Sequence, residues 1–568
     1  MVEVFTVPDD PTADEWDVVV IGTGMGGSTV GYRLASLGRR VLFIEKGLYL
    51  QDASVEPNLA DGGLRSHGAD RAAQVLEGDF SPESRLRSGK WPSRLQGTTT
   101  FGALDFYAPL GCGTGGSTLL YAAALERLSP SDFNPRANYP DVHGSTLPDR
   151  WPISYDDLRP YYEQAEKLYR VRGTVDPLAV ELGDSLLEPP PLSLRDHHLE
   201  VSFKSLGLHP YRVHVGCDFV NGCQMCTSGR CLRACRSDAA QVCLLPALRQ
   251  FGASIVPECE VVRLQADAHR VTSVHCRRDG VTMSIRARVV VLAAGAYMSP
   301  IILLNSRSDA WPDGLANKSG LVGRNLMFHV SDFFAVTPIE RLSADGPAKS
   351  LALNDFYVHM GNKYGTFQTA GAAIVPGQIM QYLRDIAQKE PTWWKRLASP
   401  RPTWWRKLSS PAVRLVALLL YHVFNFKNAA IWASIIEDLP YHDNRVVADP
   451  RARNGMRFEY RYTDELKARV AAFRALLTKA VSPHRTIVLS GENNINFGHV
   501  CGTCRFGDDP SKSVLNRDNR AHGLANLYVV DASFFPSSGG TNPSLTIAAN
   551  ALRVAEAINC RLDEPVEG

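Results

Sequence analysis

A histidine and an amide late in the chain are the residue types best suited to moving a proton. The stretch Phe497 to Gly507 (FGHVCGTCRFG) sets His499 among glycines, and SSGGTNPS sets Asn542 in a second glycine-rich turn that runs into a helical pattern. Turns of this kind place polar side chains at the rim of a cleft. Removing a hydride from an alcohol carbon requires the hydroxyl proton to leave at nearly the same moment. Histidine accepts a proton near neutral pH and a neighbouring amide can hold the substrate oxygen, so His499 and Asn542 suit those roles. Taken alone, one histidine among fifteen reads first as a structural or surface residue.

A second constellation lies near the start. Asp17 to Ile21 (DVVVI) is a continuous apolar run, as in a parallel strand buried on both faces. It leads into Gly22-Thr23-Gly24-Met25-Gly26-Gly27 and then a helical pattern from Ser28 to Leu37. Gly38 ends that helix, and Arg40 to Ile44 forms a second strand closed by Glu45. Gly22 permits the tight turn, Gly24 lets backbone approach a pyrophosphate, and Gly27 allows helix to pack closely on strand. The helix N-terminus offers amide donors to phosphate, and Glu45 would accept from ribose hydroxyls. The reading is a dinucleotide cradle, with FAD and NAD both open.

The elements that would position these groups are scattered. Gly111 to Tyr121 (GCGTGGSTLLY) holds four glycines in six positions, which no regular helix or strand tolerates. It reads either as a surface loop or as backbone packed against a flat ring system. Val289 to Gly295 (VVVLAAG) is a further buried strand, followed by a helix-like segment around Ile301 to Leu304. Ala253 to Val262 resembles a sheet segment, Arg263 to Arg286 alternates like a hairpin, and Leu527 to Asp531 (LYVVD) is a strand ended by an acid. A sheet interrupted by excursions that return to it fits this order.

Composition excludes some classes. The net charge of +2 gives no global attraction for nucleic acid, and 21% charged with 45% hydrophobic residues is ordinary for a globular protein. The acidic N-terminal stretch lacks the features of an export signal, and Val413 to Phe426 is too short and too interrupted to span a bilayer. A cytoplasmic protein is expected. Of twelve cysteines, six lie from Cys217 to Cys243, which in that compartment points to metal or cofactor ligation before disulfides.

Together these segments resemble the glucose-methanol-choline (GMC) family of flavoprotein oxidoreductases. GCGTGGSTLLYAAALERLSPSDF is similar to its cholesterol-oxidase branch. WPISYDDLRPYYEQAEKLYRVRG and HVCGTCRFGDDPSKSV…NLYVVDASFFPSSGGTNPSLTIAANALR are similar to bacterial sugar and alcohol dehydrogenases. The resemblance implies FAD and hydride transfer to flavin N5. It implies His499, opening H-x-x-G-T, as the base, and Asn542, followed by Pro543, as its partner beside the cofactor. It places Asp531 near the ribityl–pyrophosphate region, the backbone of Val261 against adenine, and Gly113, Gly115, Gly116 and Ser117 against the flavin, with Gly26 in the cradle. Arg94 to Tyr121 holds no histidine that could attach FAD covalently, so dissociable FAD is expected.

Within the cysteine cluster, Cys223, Cys226, Cys231 and Cys235 form a C-x2-C-x4-C-x3-C run. Its last three members are similar to the C-x4-C-x3-C of GMC dehydrogenases that carry a small iron–sulfur cluster. A zinc knot and a metal-free thiol-rich loop are the alternatives. Between Pro391 and Phe426, two near-copies (PTWWKRLASP and PTWWRKLSSP) precede an apolar run. This stretch suits a lid, a peripheral membrane contact, or an ordinary helical pair.

The expected fold is α/β. A Rossmann-like FAD domain of the GMC and p-hydroxybenzoate-hydroxylase type (17–150, 210–330 and 490–568) follows an extension at 1–16. An inserted α+β substrate domain with an antiparallel sheet takes 151–209 and 331–489. The expected partners are a small-molecule alcohol and an electron acceptor, oxygen or a redox carrier. A lyase or decarboxylase on the same fold, and a non-catalytic electron-transfer or binding subunit, are the competing functions.

Overall fold

Valine-rich strands with no polar face must be covered on both sides, and the first strand shows this. In β1 (Trp16–Ile21), Val18, Val19 and Val20 are fully buried; such burial stabilises by roughly 1.5–3 kcal/mol per side chain. The computed structural model describes residues 7–51, 81–179, 185–221, 223, 229–231, 233–371, 419, 422, 426–482, 484–491 and 494–564. The 391–426 segment lies outside the described residues except at 419, 422 and 426, as does Cys226.

Five strands form a parallel sheet in the order Leu527–Val529, Ala287–Leu292, β1, β2 (Val41–Ile44) and Ser254–Val256. Val18 lies opposite Val289 on one side and Val41 on the other. Strands about half the chain apart therefore meet side by side, and one of them, Ala287–Leu292, joins the two ends of the sequence in one sheet. Helix α1 (Met25–Ser36) crosses between β1 and β2, and Gly38 behind it takes φ +83°, the left-handed conformation that ends a helix at little cost to glycine. A three-stranded antiparallel sheet, Glu260–Ala266, Val271–Arg278 and Val281–Ile285, is the excursion that leads from Ser254–Val256 back to Ala287–Leu292.

The second large sheet is antiparallel and built around Ala430–Glu437, all eight residues of which are buried. Phe333–Thr337 and Met327–Val330 pair along one edge of that strand, and Gly365–Thr369 along the other. Helix Asp464–Ala480 is started by Thr463, whose hydroxyl accepts from the Leu466 amide, and buries Leu466, Val470, Phe473 and Leu477 at helical spacing. Phe473 stacks on Tyr364, 5.2 Å between ring centres. No helix among the described residues is long and apolar enough to cross a membrane.

Candidate active site

His499 lies on Ile495–Cys501, which pairs antiparallel with Met327–Val330. Cys501 faces Met327 and Asn496 faces His329, so five steps along one strand answer two along the other. The surplus forms a bulge, the device that re-aims a side chain beside a site. The bulge turns the His499 ring onto His329, with the two Nδ1 atoms 3.2 Å apart and the rings nearly perpendicular.

The hydrogen-bond partners assign the tautomers. His329 Nε2 is 2.9 Å from the Gly539 carbonyl, which can only accept, so His329 donates there and keeps a lone pair on Nδ1. His499 must then donate through its own Nδ1, which leaves a lone pair on Nε2. Burial, then the His329 ring and the Lys349 ammonium, hold the His499 pKa down at about 3. Burial holds His329 at about 4. Both rings are neutral at physiological pH, the form this relay requires.

Asn542 sits in the turn Gly539-Gly540-Thr541-Asn542, where Gly539 has φ +71° and an added Cβ would strike Leu128. Gln368 donates from Nε2 to Asn542 Oδ1 at 2.7 Å, which directs the two Asn542 amide hydrogens away from Gln368. Beneath the turn lies a buried ionic cluster. Lys363 Nζ bonds Asp132 and lies 3.4 Å from Glu437 Oε2, and all three side chains are fully buried. Tyr357 donates to Asp132 at 2.6 Å, Tyr139 donates to Glu437 at 2.9 Å, and Arg469 bonds the Glu437 carbonyl. This cluster grips the turn from below: the Gly539 amide donates to Glu437 at 3.2 Å and the Gly540 amide to Tyr357 at 3.1 Å. Burial opposes the charge on Lys363, yet Asp132 and Glu437 outweigh it and raise its pKa.

The glycine cradle has a different construction. A Cβ on Gly22 would meet the Ala293 carbonyl oxygen at 2.5 Å, on Gly26 the Val530 carbonyl oxygen at 2.2 Å, and on Gly27 the Gly22 carbonyl oxygen at 2.0 Å. Gly24 alone faces open space, with nothing within 4 Å of its added Cβ. The second glycine loop closes over it: Gly113, Gly115 and Gly116 all have positive φ, a Cβ on Gly116 would meet Gly24 Cα at 2.9 Å, and the Gly115 amide donates to the Thr23 carbonyl at 3.2 Å. Ser117 accepts from the Gly111 amide at 3.1 Å. The open wall at Gly24, between crowded glycines, fits a diphosphate in contact with backbone.

Other expected residues are engaged with protein. Glu45 is buried and accepts from Thr23 N, Thr23 Oγ1 (2.6 Å) and Gly47 N (2.8 Å), which ties the end of β2 to the cradle and occupies most of its lone pairs. Asp531 accepts from the Gly295 amide at 2.9 Å, from Ser299, and from Ser533 N and Oγ. Val261 pairs with Cys276, beside a bulge that frees the neighbouring ladder position. Pro543 precedes helix Ser544–Asp563, whose first turn carries no side-chain cap and no acid. The cradle, the Gly113 loop, Asp531 and the Asn542 turn share one end of the parallel sheet, and His499 reaches the turn through His329.

Sequence reasoning missed His329, Gln368, Lys363, Asp132 and Glu437. His329 in MFHV reads as a core histidine, and Gln368 as an ordinary strand residue. No local signal marks either, because each acts through partners far off in sequence.

GMC oxidoreductase family models match residues 17–331 and 440–551. A paromamine 6'-oxidase from Streptomyces fradiae is 30% identical, covering 96% of this chain and 91% of its own. A 2-methyl-1,2-propanediol dehydrogenase from Mycolicibacterium austroafricanum is 27% identical over 98% and 97% of the two chains. Among solved structures, pyridoxine 4-oxidase from Mesorbium loti superposes with a TM-score of 0.61 at 21% identity, covering 96% and 99%.

Proposed function

The chain belongs to the GMC oxidoreductase family, an FAD-dependent oxidoreductase, and from that premise we propose that it oxidises an alcohol CH–OH to a carbonyl with His499 as the base. One observation carries the assignment of the base: the chain Gly539 carbonyl, His329, His499 leaves a neutral imidazole whose Nε2 lone pair accepts no hydrogen bond among the described residues. FAD, when bound, supplies the hydride acceptor at its N5.

The substrate hydroxyl donates to His499 Nε2, and its proton passes there as the C–H bond breaks. Asn542 donates an amide hydrogen to the same oxygen, while Gln368 fixes the amide orientation. Gly22, Gly24, Gly26 and Gly27 would hold the diphosphate, and Glu45 would meet the adenosine ribose through its remaining lone pairs. Gly113, Gly115, Gly116 and Ser117 would lie against the ring system, with Val261, Asp531 and Pro543 at its other edges. FAD would be held without a covalent bond, Arg94 to Tyr121 having no histidine to attach it, and oxygen or a redox carrier would be the electron acceptor. The chain divides into the nucleotide segments 17–150, 210–330 and 490–568 and the substrate segments 151–209 and 331–489.

The similarity to the paromamine oxidase makes a sugar-borne hydroxyl the first substrate class to try, and a small diol the second. An anaerobic absorption spectrum of the purified enzyme, before and after a panel of such alcohols, tests the reading. Bleaching by one class supports it and names the class. Turnover without bleaching would move the assignment to a lyase.

A further inference from the structure

Four thiols gather on the loop that braces residues 118–121, directly after the Gly113–Ser117 segment. Cys217 Sγ lies 3.8 Å from Cys223 Sγ, Cys223 lies 3.7 Å from Cys235, and Cys235 lies 3.4 Å from Cys231. The sulfurs of Cys217, Cys223 and Cys235 are all within 4.8 Å of one another, and Cys231, which touches Cys235, lies just outside that mutual set as the fourth thiol within reach. We propose that Cys217, Cys223, Cys231 and Cys235 bind a single zinc ion as a tetrathiolate.

The distances select the class of metal site. A tetrahedron with Zn–S bonds of about 2.3 Å has S···S edges of about 3.8 Å, close to the Cys217–Cys223 and Cys223–Cys235 separations, with Cys231 the ligand that would move in to complete it. Three thiols packed this closely do not fit an iron–sulfur cluster, in which the cysteines are spread over several iron atoms. The ligand set also differs from the run expected from sequence. Cys217 enters from outside it, brought in by the antiparallel bridge from Cys217 to Arg236 and by the Asp218 amide, which donates to the Cys235 carbonyl at 2.7 Å. Cys226 lies outside the described residues.

The backbone around the thiols is strained. Phe219 (φ +48°) and Ala234 (φ +50°) are non-glycine residues in the left-handed region, one beside each half of the set. A metal joining both halves supplies the constraint that holds such conformations in place. Binding is not a redox step: four S–H bonds give way to four Zn–S bonds, and the protons pass to solvent.

The ion would serve the glycine loop. Arg236, next to Cys235, donates to the carbonyls of Leu119, Tyr121 (3.0 Å) and Gly229 (2.8 Å). Tyr121 OH returns to the Ser237 carbonyl, and the Ala239 amide donates to Thr118 Oγ1 at 3.0 Å. Zinc therefore fixes the strap that holds residues 118–121.

Full-length enzyme purified without chelator is analysed for zinc, iron and acid-labile sulfide. One zinc per chain with no sulfide is expected. Cys217→Ser and Cys235→Ser should each lower zinc content at least tenfold, while Cys560→Ser, on the exposed face of the last helix, keeps it. Should the serine variants fail to fold, titration of the wild-type thiols with a mercurial should release one zinc, and cobalt-grown enzyme should show the visible absorption of tetrahedral cobalt thiolate. Iron with sulfide, disulfides among these cysteines, or four free thiols without metal would each overturn the proposal.

Discussion

The two walls of the candidate site are made of different material. The wall at the parallel sheet is backbone: Gly22, Gly26 and Gly27 are pressed against carbonyl oxygens, and Gly116 lies on Gly24. The second wall is side chain: His329 holds His499, Gln368 holds Asn542, and a buried lysine between two carboxylates holds the turn that carries Asn542. The first wall fails when an atom is added. The second fails when a polar partner is taken away.

The largest effect on stability should come from the side-chain wall. Lys363→Met leaves Asp132 and Glu437 buried without their cation, and breaking such a pair costs about 3–5 kcal/mol. Chemical denaturation measures it, and a loss under about 1 kcal/mol would mean that the cluster does not support the turn. On the backbone wall two glycines should separate. Gly26→Ala drives a Cβ into the Val530 carbonyl and should cost about 1–3 kcal/mol. Gly24→Ala meets nothing in the protein, so its melting temperature without cofactor should stay within a degree or so, while FAD retained through gel filtration falls. Full FAD occupancy in Gly24→Ala would remove the diphosphate from this position.

Smaller effects should follow the polar relays. Gln368→Leu removes one hydrogen bond worth about 1 kcal/mol, so kcat should drop about five- to tenfold with the fold intact. The two depressed histidines also make stability depend on pH. Below about 6.5 the unfolded chain takes up protons that His329 and His499 refuse in the folded state. Stability therefore falls as pH drops from that value toward about 4 and 3, by up to about 1.4 kcal/mol per pH unit for each ring. His329→Asn should flatten this slope by nearly one ring's share, read from denaturation series at several pH values.

The same contrast governs what was legible before the structure. Strands β1 and β2, Ala287–Leu292 and Leu527–Val529 appear close to where apolar runs announced them, because a strand buried on both faces has a simple local pattern. Helix α1 begins at Met25, inside the glycine motif and earlier than the helical pattern alone indicated. The segment expected to be one sheet element from Ala253 to Val262 divides into Ser254–Val256 and Glu260–Ala266, which belong to different sheets. His499 and Asn542 stood out because glycines flank them. His329, Gln368 and Cys217 did not, because their roles depend on partners that only the folded chain brings near. Glu45 and Asp531 were read as carboxylates facing a cofactor, yet each also fastens neighbouring backbone.

The most direct test concerns the unused lone pair on His499. Anaerobic flavin reduction is followed by stopped flow in wild type and His499→Ala, with the alcohol that bleaches the wild type. Removal of a general base costs about 10²–10⁴-fold, so the variant should keep its oxidised FAD spectrum and be reduced slower by that factor. Equal reduction rates in the two proteins would contradict His499 as the base.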